Sequence, residues 1–361
     1  MKRHVIGVAA AVLGTMLMGG VVATQTAAAA DPVPTTVTLP LFGAPLKIGI
    51  TTGPGGALAS VTVDPATGNT ATSASPHKVV FQSANLTNPT GDPAKVVIRS
   101  KQGGQSVSAR AGSLADVSGP GSWSGDVFGT GTASTVAFTI SAAADGGPDI
   151  VLGATTGEAA VPGTVDHSSG EGDDDEGTEM SARVSVKFTN AAGDQSRNLS
   201  IKVKVETDED GSTSAKLSIS LGRIKGVEGK AVGSHMWTGL LCDNTSASIA
   251  YVVAADGTIT VGTITPAGAT TSSNEGKTTV TFASGEQVRI KVSDEDGQMT
   301  VSVKEKIRCN SADPTFNGSS VPTTAGDNND NHQGGGGDNH GHGDHAGDDD
   351  TTTSVSTPVQ P

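Results

Sequence analysis

The stretch "SIKVKVETDEDGSTSAKLSISL", residues 200–221, carries the reading of the fold. Ile201, Val203 and Val205 alternate with Lys202, Lys204 and Glu206, and Leu217, Ile219 and Leu221 alternate with serines on the far side of an acidic knot. Alternation of this kind places one face of a strand against a core and the other in water. Asp208-Glu209-Asp210-Gly211 is then either a calcium loop or a hairpin turn. An EF-hand loop needs a carboxylate at its twelfth position. With Asp208 and Asp210 as the third and fifth positions, the twelfth is Leu217; with Asp294 and Asp296 it is Val303. Both are apolar strand positions, so a hairpin whose glycine supplies positive φ is the reading taken, with weak calcium binding at these four aspartates a minor alternative.

The same pattern recurs along the chain. Leu46, Thr135 and Ser248 each open an alternating strand, a glycine-containing turn and a second Val/Ile/Thr strand. Lys78, Val184 and Thr279 each open a strand ending in phenylalanine (Phe81, Phe188, Phe282), then a polar loop, a further strand, a turn ending in glycine (Gly104, Gly211, Gly297) and a last strand. The joining segments "GSWSGDVFGTG" around Trp123 and "HMWTGLLCDNT" around Trp237 also match. Repetition with period-two patterning and no helical periodicity predicts an all-β protein of three tandem, small antiparallel domains, sandwich- or barrel-like, at 40–124, 125–238 and 239–310. Trp123 and Trp237 are expected as packing anchors at the junctions, because other large side chains are scarce at 3% aromatics.

The ends read differently. Residues 1–30 have a basic start at Lys2 and Arg3, an apolar run and an Ala28-x-Ala30 site, as a secretory signal does. Residues 31–39 then form a short linker. A secreted, extracellular protein with no later membrane-inserted segment is the expectation. Net charge is −14, and −16 without Lys2 and Arg3, which disfavours nucleic acid and anionic lipid as partners. The acidic insertion 157–179 and the Asp/His/Gly-rich tail 311–361 are short of large apolar residues and read as flexible. Cys242 and Cys309 form an even pair, expected as a disulfide tying the start of the third segment to its end.

Candidate chemistry is sparse. His340-x-His342-x-x-His345, with His332 and neighbouring aspartates, has the composition of a zinc, nickel or copper site. "GSWSG" has Trp123 where a nucleophilic serine would stand, and "SSNEGKTT" at 272–279 lacks the first glycine of a phosphate loop. Ser75-x-x-Lys78 is too short a motif to specify a hydrolase. His167 is expected to be exposed in the acidic insertion, and His235 to cap a turn. The reading is of a non-enzymatic extracellular β-repeat protein with a structural or adhesive role toward an extracellular protein or glycan. A metal-binding or metal-buffering role through the tail is the alternative.

Overall fold

The computed structural model describes residues 34–87, 93–101, 104–171, 177–227, 230–295, 298–307, 309, 312–317 and 319–320. Nearly everything described is β-structure in several antiparallel sheets.

The chain opens with a three-strand meander, β1 (Thr35–Leu41), β2 (Ala44–Thr52) and β3 (Leu58–Asp64). A four-strand meander follows in an opposing sheet: β4 (Asn69–Ser75), β5 (Lys78–Thr87), β6 (Pro93–Lys101) and β7 (Gly104–Ala111). The order then recurs. β8 (Gly119–Asp126), β9 (Ala133–Ala142) and β10 (Pro148–Thr156) join the first sheet. In the second sheet, β11 (Ala159–Pro162) and β12 (Asp166–Glu171) both pair with β13 (Thr178–Thr189), which continues into β14 (Gln195–Thr207) and β15 (Thr213–Leu221).

The expected boundaries shift: residues 35–39 of the expected linker lie in β1, and β8 spans the 124/125 boundary, so the repeated order starts at β1 and again at β8, and these two runs of strands share their sheets and one core. β1 pairs antiparallel with β8, bringing Val37 opposite Trp123, and β7 pairs antiparallel with β15, bringing Val107 opposite Ile219. First strand meets first strand and last meets last, as an approximate two-fold relation requires. The joined sheets enclose one core, in which Leu39, Ile48, Phe81, Val96, Phe188 and Ile201 are fully or almost fully buried. Separate cores would each be thin in a chain with so few large side chains, and joining them raises the fraction of surface buried. Trp123 bridges the sheets, its ring 6.0 Å from that of Phe188.

A two-residue strand, β16 (Lys225–Gly226), pairs with β14 and leads to the second body. There β17 (Gly233–Leu240), β18 (Ser246–Val253) and β19 (Ile259–Thr265) form one sheet. The other holds β20 (Thr270–Asn274), β21 (Lys277–Thr281), β22 (Gln287–Glu295) and β23 (Gln298–Lys306). Its core is its own, built on Ile249, Tyr251, Phe282, Val288 and Ile290.

Two segments expected to be flexible carry strands. Within 157–179, β11 and β12 add to the free edge of β13; main-chain bonds suffice there without apolar side chains. In the tail, β24 (Thr315–Phe316) and β25 (Ser319–Ser320) lie parallel to β3 and β4. Phe316 packs on Phe81 with ring centroids 5.4 Å apart, and the Asn317 side chain bonds both main-chain groups of Val63.

Candidate functional site

The 208–211 knot is a hairpin turn. Gly211 has φ of +77°, its N–H bonds the Asp208 carbonyl at 3.0 Å, and β14 and β15 pair on either side. The carboxylates serve the turn: Asp210 accepts from the Ser212 N–H and Asp208 from the Ser212 hydroxyl. Asp294 is exposed at the end of β22, while Asp296 and Gly297 lie outside the described residues. Gly104 is the first residue of β7.

Cys242 and Cys309 are bonded, with their Cα atoms 5.2 Å apart. The bridge joins the turn after β17 to the chain beyond β23, tying the start of the second body to its end. Beneath it, buried Glu286 accepts the Cys242 N–H at 2.9 Å and the Ser284 hydroxyl. Burial pushes this carboxyl up, but those two bonds outweigh it and hold its pKa below the ordinary glutamate value.

Both tryptophans are buried: Trp123 lies inside the first core, and Trp237 packs on Phe282 with centroids 6.1 Å apart. Trp237 also donates its Nε1–H to Glu305 at 2.9 Å. His332, His340, His342 and His345 lie outside the described residues. His167 is not isolated in a loop; it sits on β12 with Nε2 3.2 Å from Asp149 on β10.

One gathering of titratable groups was not singled out by the sequence. It lies where β17, β18 and β23 of the second body face β14 and the turn before it, around a cleft of about 350 Å³. His235, 7% exposed on β17, holds Asp194 through Nδ1 at 3.1 Å and the Ala231 carbonyl through Nε2 at 2.8 Å. Both partners are acceptors, so both bonds form together when each ring nitrogen carries a proton. Tyr251 stacks on the imidazole at 5.3 Å, and burial, then the Asp194 charge, pushes its phenol up to about 12.

Asp194 is fixed in the tight turn between β13 and β14. Asn190 donates to its carboxylate at 2.8 Å, while the Asn190 carbonyl oxygen takes the N–H groups of Asp194 and Gln195. Burial raises the Asp194 pKa, but the bonds from Asn190 and His235 outweigh it and leave the carboxyl below its ordinary value. Arg197 on β14 donates to the carbonyls of Gly222 and Val127 at 2.7 and 2.6 Å. Its burial lowers the guanidinium to about 10 against the opposing pull of Asp126 and Glu305. His235 bonds the Ala231 carbonyl four residues back, in keeping with the expected local role, and also joins the two bodies through Asp194. Its partner lies 41 residues away in sequence, and no local pattern announces the pair.

No protein-family model, curated protein or solved structure matches the chain. Among the described residues, no helix is long and apolar enough to cross a membrane.

Proposed function

We propose that this is a secreted, non-enzymatic β-repeat protein whose role outside the cell is structural or adhesive, built from three related segments, each a three-strand meander followed by an opposing sheet of four strands, the first of which is split into β11 and β12 in the second segment. The signal-like start and the Cys242–Cys309 bridge support the location, because such bridges persist in oxidising compartments. The observation that carries the non-enzymatic reading is the occupancy of the joint. His235, Asp194, Arg197 and the Trp237 N–H each spend their bonding capacity on a protein partner. Groups held this way fix two bodies against each other; a general base needs a nitrogen within reach of a substrate proton.

The repeated order of strands supports common descent of the segments, and the Phe81, Phe188 and Phe282 side chains are all buried. The whole chain on an array of glycans and matrix proteins tests the adhesive role. Retention of one ligand class, unaltered in a His235→Gln variant, is expected. Labelling of the chain by a serine-hydrolase probe, lost in that variant, would overturn the reading.

A second reading, divalent metal held by the tail, is favoured by the spacing of His340, His342 and His345. Calorimetry with zinc on the whole chain, and on a variant with these three and His332 changed to Ala, distinguishes it. Loss of heat in the variant supports the site; equal heats reject it.

A further inference from the structure

We infer that the outer face of the second sheet of the first body is a docking surface for an acidic polysaccharide. This rests on the adhesive reading above and names its ligand class.

The register of the strands sets up a line of like charge. Lys204 on β14 stands opposite Lys216 on β15, Lys216 opposite Arg110 on β7, and Arg110 opposite Lys95 on β6. Neighbouring strands are about 4.8 Å apart, so four cationic side chains occupy a line of roughly 14 Å. Like charges placed directly opposite one another weaken a sheet. A chain whose net charge is −14 nevertheless carries four of its cations in this one row.

Two of the four cations, Lys204 and Arg110, are ion-paired. Lys204 lies 2.5 Å from Glu179 and 2.7 Å from Glu206, which raises its pKa, while Arg110 is 3.7 Å from Glu206. Lys95 and Lys216 are exposed and form no ion pair among the described residues. The acidic turn 208–210 closes the sheet just beyond Glu206, so the uncompensated charge of the row is on Lys216 and Lys95.

Two residues further along each strand, Arg183 and Lys202 are followed by Ser218 and Ser108, with Asp166 beyond Arg183 on the sheet edge. In the next row Ser185, Ser200, Ser220 and Ser106 lead to Arg99 and Lys78. The face is thus a flat lattice of cations and hydroxyls.

Its chemistry selects among polyanions. No aromatic side chain stands on this face among the described residues, so it offers no platform for nucleobases. Among the described residues its apolar groups are small and scattered, with buried Val80 beside Val97, Pro93 at the start of β6, and Ala159 and Val161 at the edge, which gives a protein partner no large anchor. A sugar polymer with spaced carboxylates meets the cations, and its hydroxyls meet the serines.

The test titrates the whole chain with polygalacturonate at low ionic strength, with dextran as the neutral control and single-stranded DNA as a second polyanion. Binding of polygalacturonate alone is expected, weakening as salt rises to the physiological range. A Lys95→Glu/Lys216→Glu variant, altered only at exposed side chains, should bind about tenfold more weakly or worse, and Lys95→Arg/Lys216→Arg should retain binding. Equal binding by the Glu variant, equal capture of dextran, tighter binding of DNA or no binding at all would each overturn the assignment. So would binding that emerges only when the aspartates at 348–350 become Asn, since the chain's own tail would then be the occupant. Failure here with capture of neutral glycans on the array would leave the adhesive reading standing.

Discussion

Removing the Cys242–Cys309 bridge should loosen one body and leave the other alone. The cysteines are 67 residues apart in sequence, and the loop they close contains β18 to β23, almost the whole second core. In the chain-entropy description, opening a loop of that length costs about 4 kcal/mol. A single small core of this size rarely supplies more than about 3–5 kcal/mol, so the loss takes the second body to the edge of stability. Glu286 still holds the Cys242 N–H position in a Cys242→Ser/Cys309→Ser variant, which keeps the turn but not the tie to β23. Amide hydrogen exchange resolves the effect body by body. Exchange at Ile249, Val288 and Ile290 should accelerate by several hundredfold, the equivalent of about 4 kcal/mol, while Leu39, Val96 and Ile201 stay as protected as before. Acceleration shared equally by both bodies would refute the independence of the second core. Unchanged exchange at all six positions would refute the assigned role of the bridge.

Phe188→Ala should cost about 3–5 kcal/mol and lower a single transition spanning both 40–124 and 125–226, because Phe188 is buried in their common core. Loss of near-ultraviolet or exchange signals from 125–226 alone would contradict the shared core. Gly121→Val should destabilise the first body by about 1–3 kcal/mol, since a Cβ there runs into the Phe138 ring and the Thr38 carbonyl; thermal unfolding equal to that of the parent would count against the packing. Glu286 and Asp194 both have folded pKa values below their ordinary 4.5 and 3.8. Their stabilisation is therefore fully present above those values and is lost as pH falls through the lower folded ones. Glu286→Gln should flatten the acid profile of the second body, and Asp194→Asn that of the joint, as read by denaturant titration against pH. Trp237→Phe should keep the packing on Phe282 but leave Glu305 without its indole donor, costing about 1.5–3 kcal/mol in denaturant titration.

Much of the β-structure was legible because burial leaves a period of two in the side chains. Leu199, Ile201 and Val203, then Leu217, Ile219 and Leu221, are buried as their alternation required, and Gly211 makes the turn between them. The cysteine pair was legible from parity and from its place at the two ends of one segment. Strand pairing beyond the hairpins was not. The β1–β8 and β7–β15 contacts are made by main-chain groups, which every residue but proline carries alike, so the merging of two segments into one body left no mark in composition. Phe316 could have been noticed, as the one aromatic residue in 311–361, and it anchors the return of the chain onto β3 and Phe81. His235 could not, because its meaning depends on Asp194 being brought to it by the docking of two bodies.

Open sheet edges account for that docking. An unpaired sheet edge must be paired or covered, or it recruits another chain. In the first body each segment covers the other, β1 against β8 and β7 against β15. In the second body β17 and β23 each stand at the edge of a sheet, paired on one side only among the described residues. Both edges turn toward the first body and line the cleft there. β16 is the hinge of the arrangement: it pairs with β14 at Gln195 and Ser196, and Gly226 lies so close to the Val301 backbone of β23 that a Cβ would collide with it. The polar joint follows from the same need. Two edges that meet a different kind of surface cannot exchange a full ladder of main-chain bonds, so side chains make the connection: His235 from β17 reaches Asp194, and Trp237 and Glu305 link β17 to β23 across the opening. The titratable groups gather at the joint because side chains close the β17 and β23 edges there, where backbone pairing closes β1 on β8 and β7 on β15.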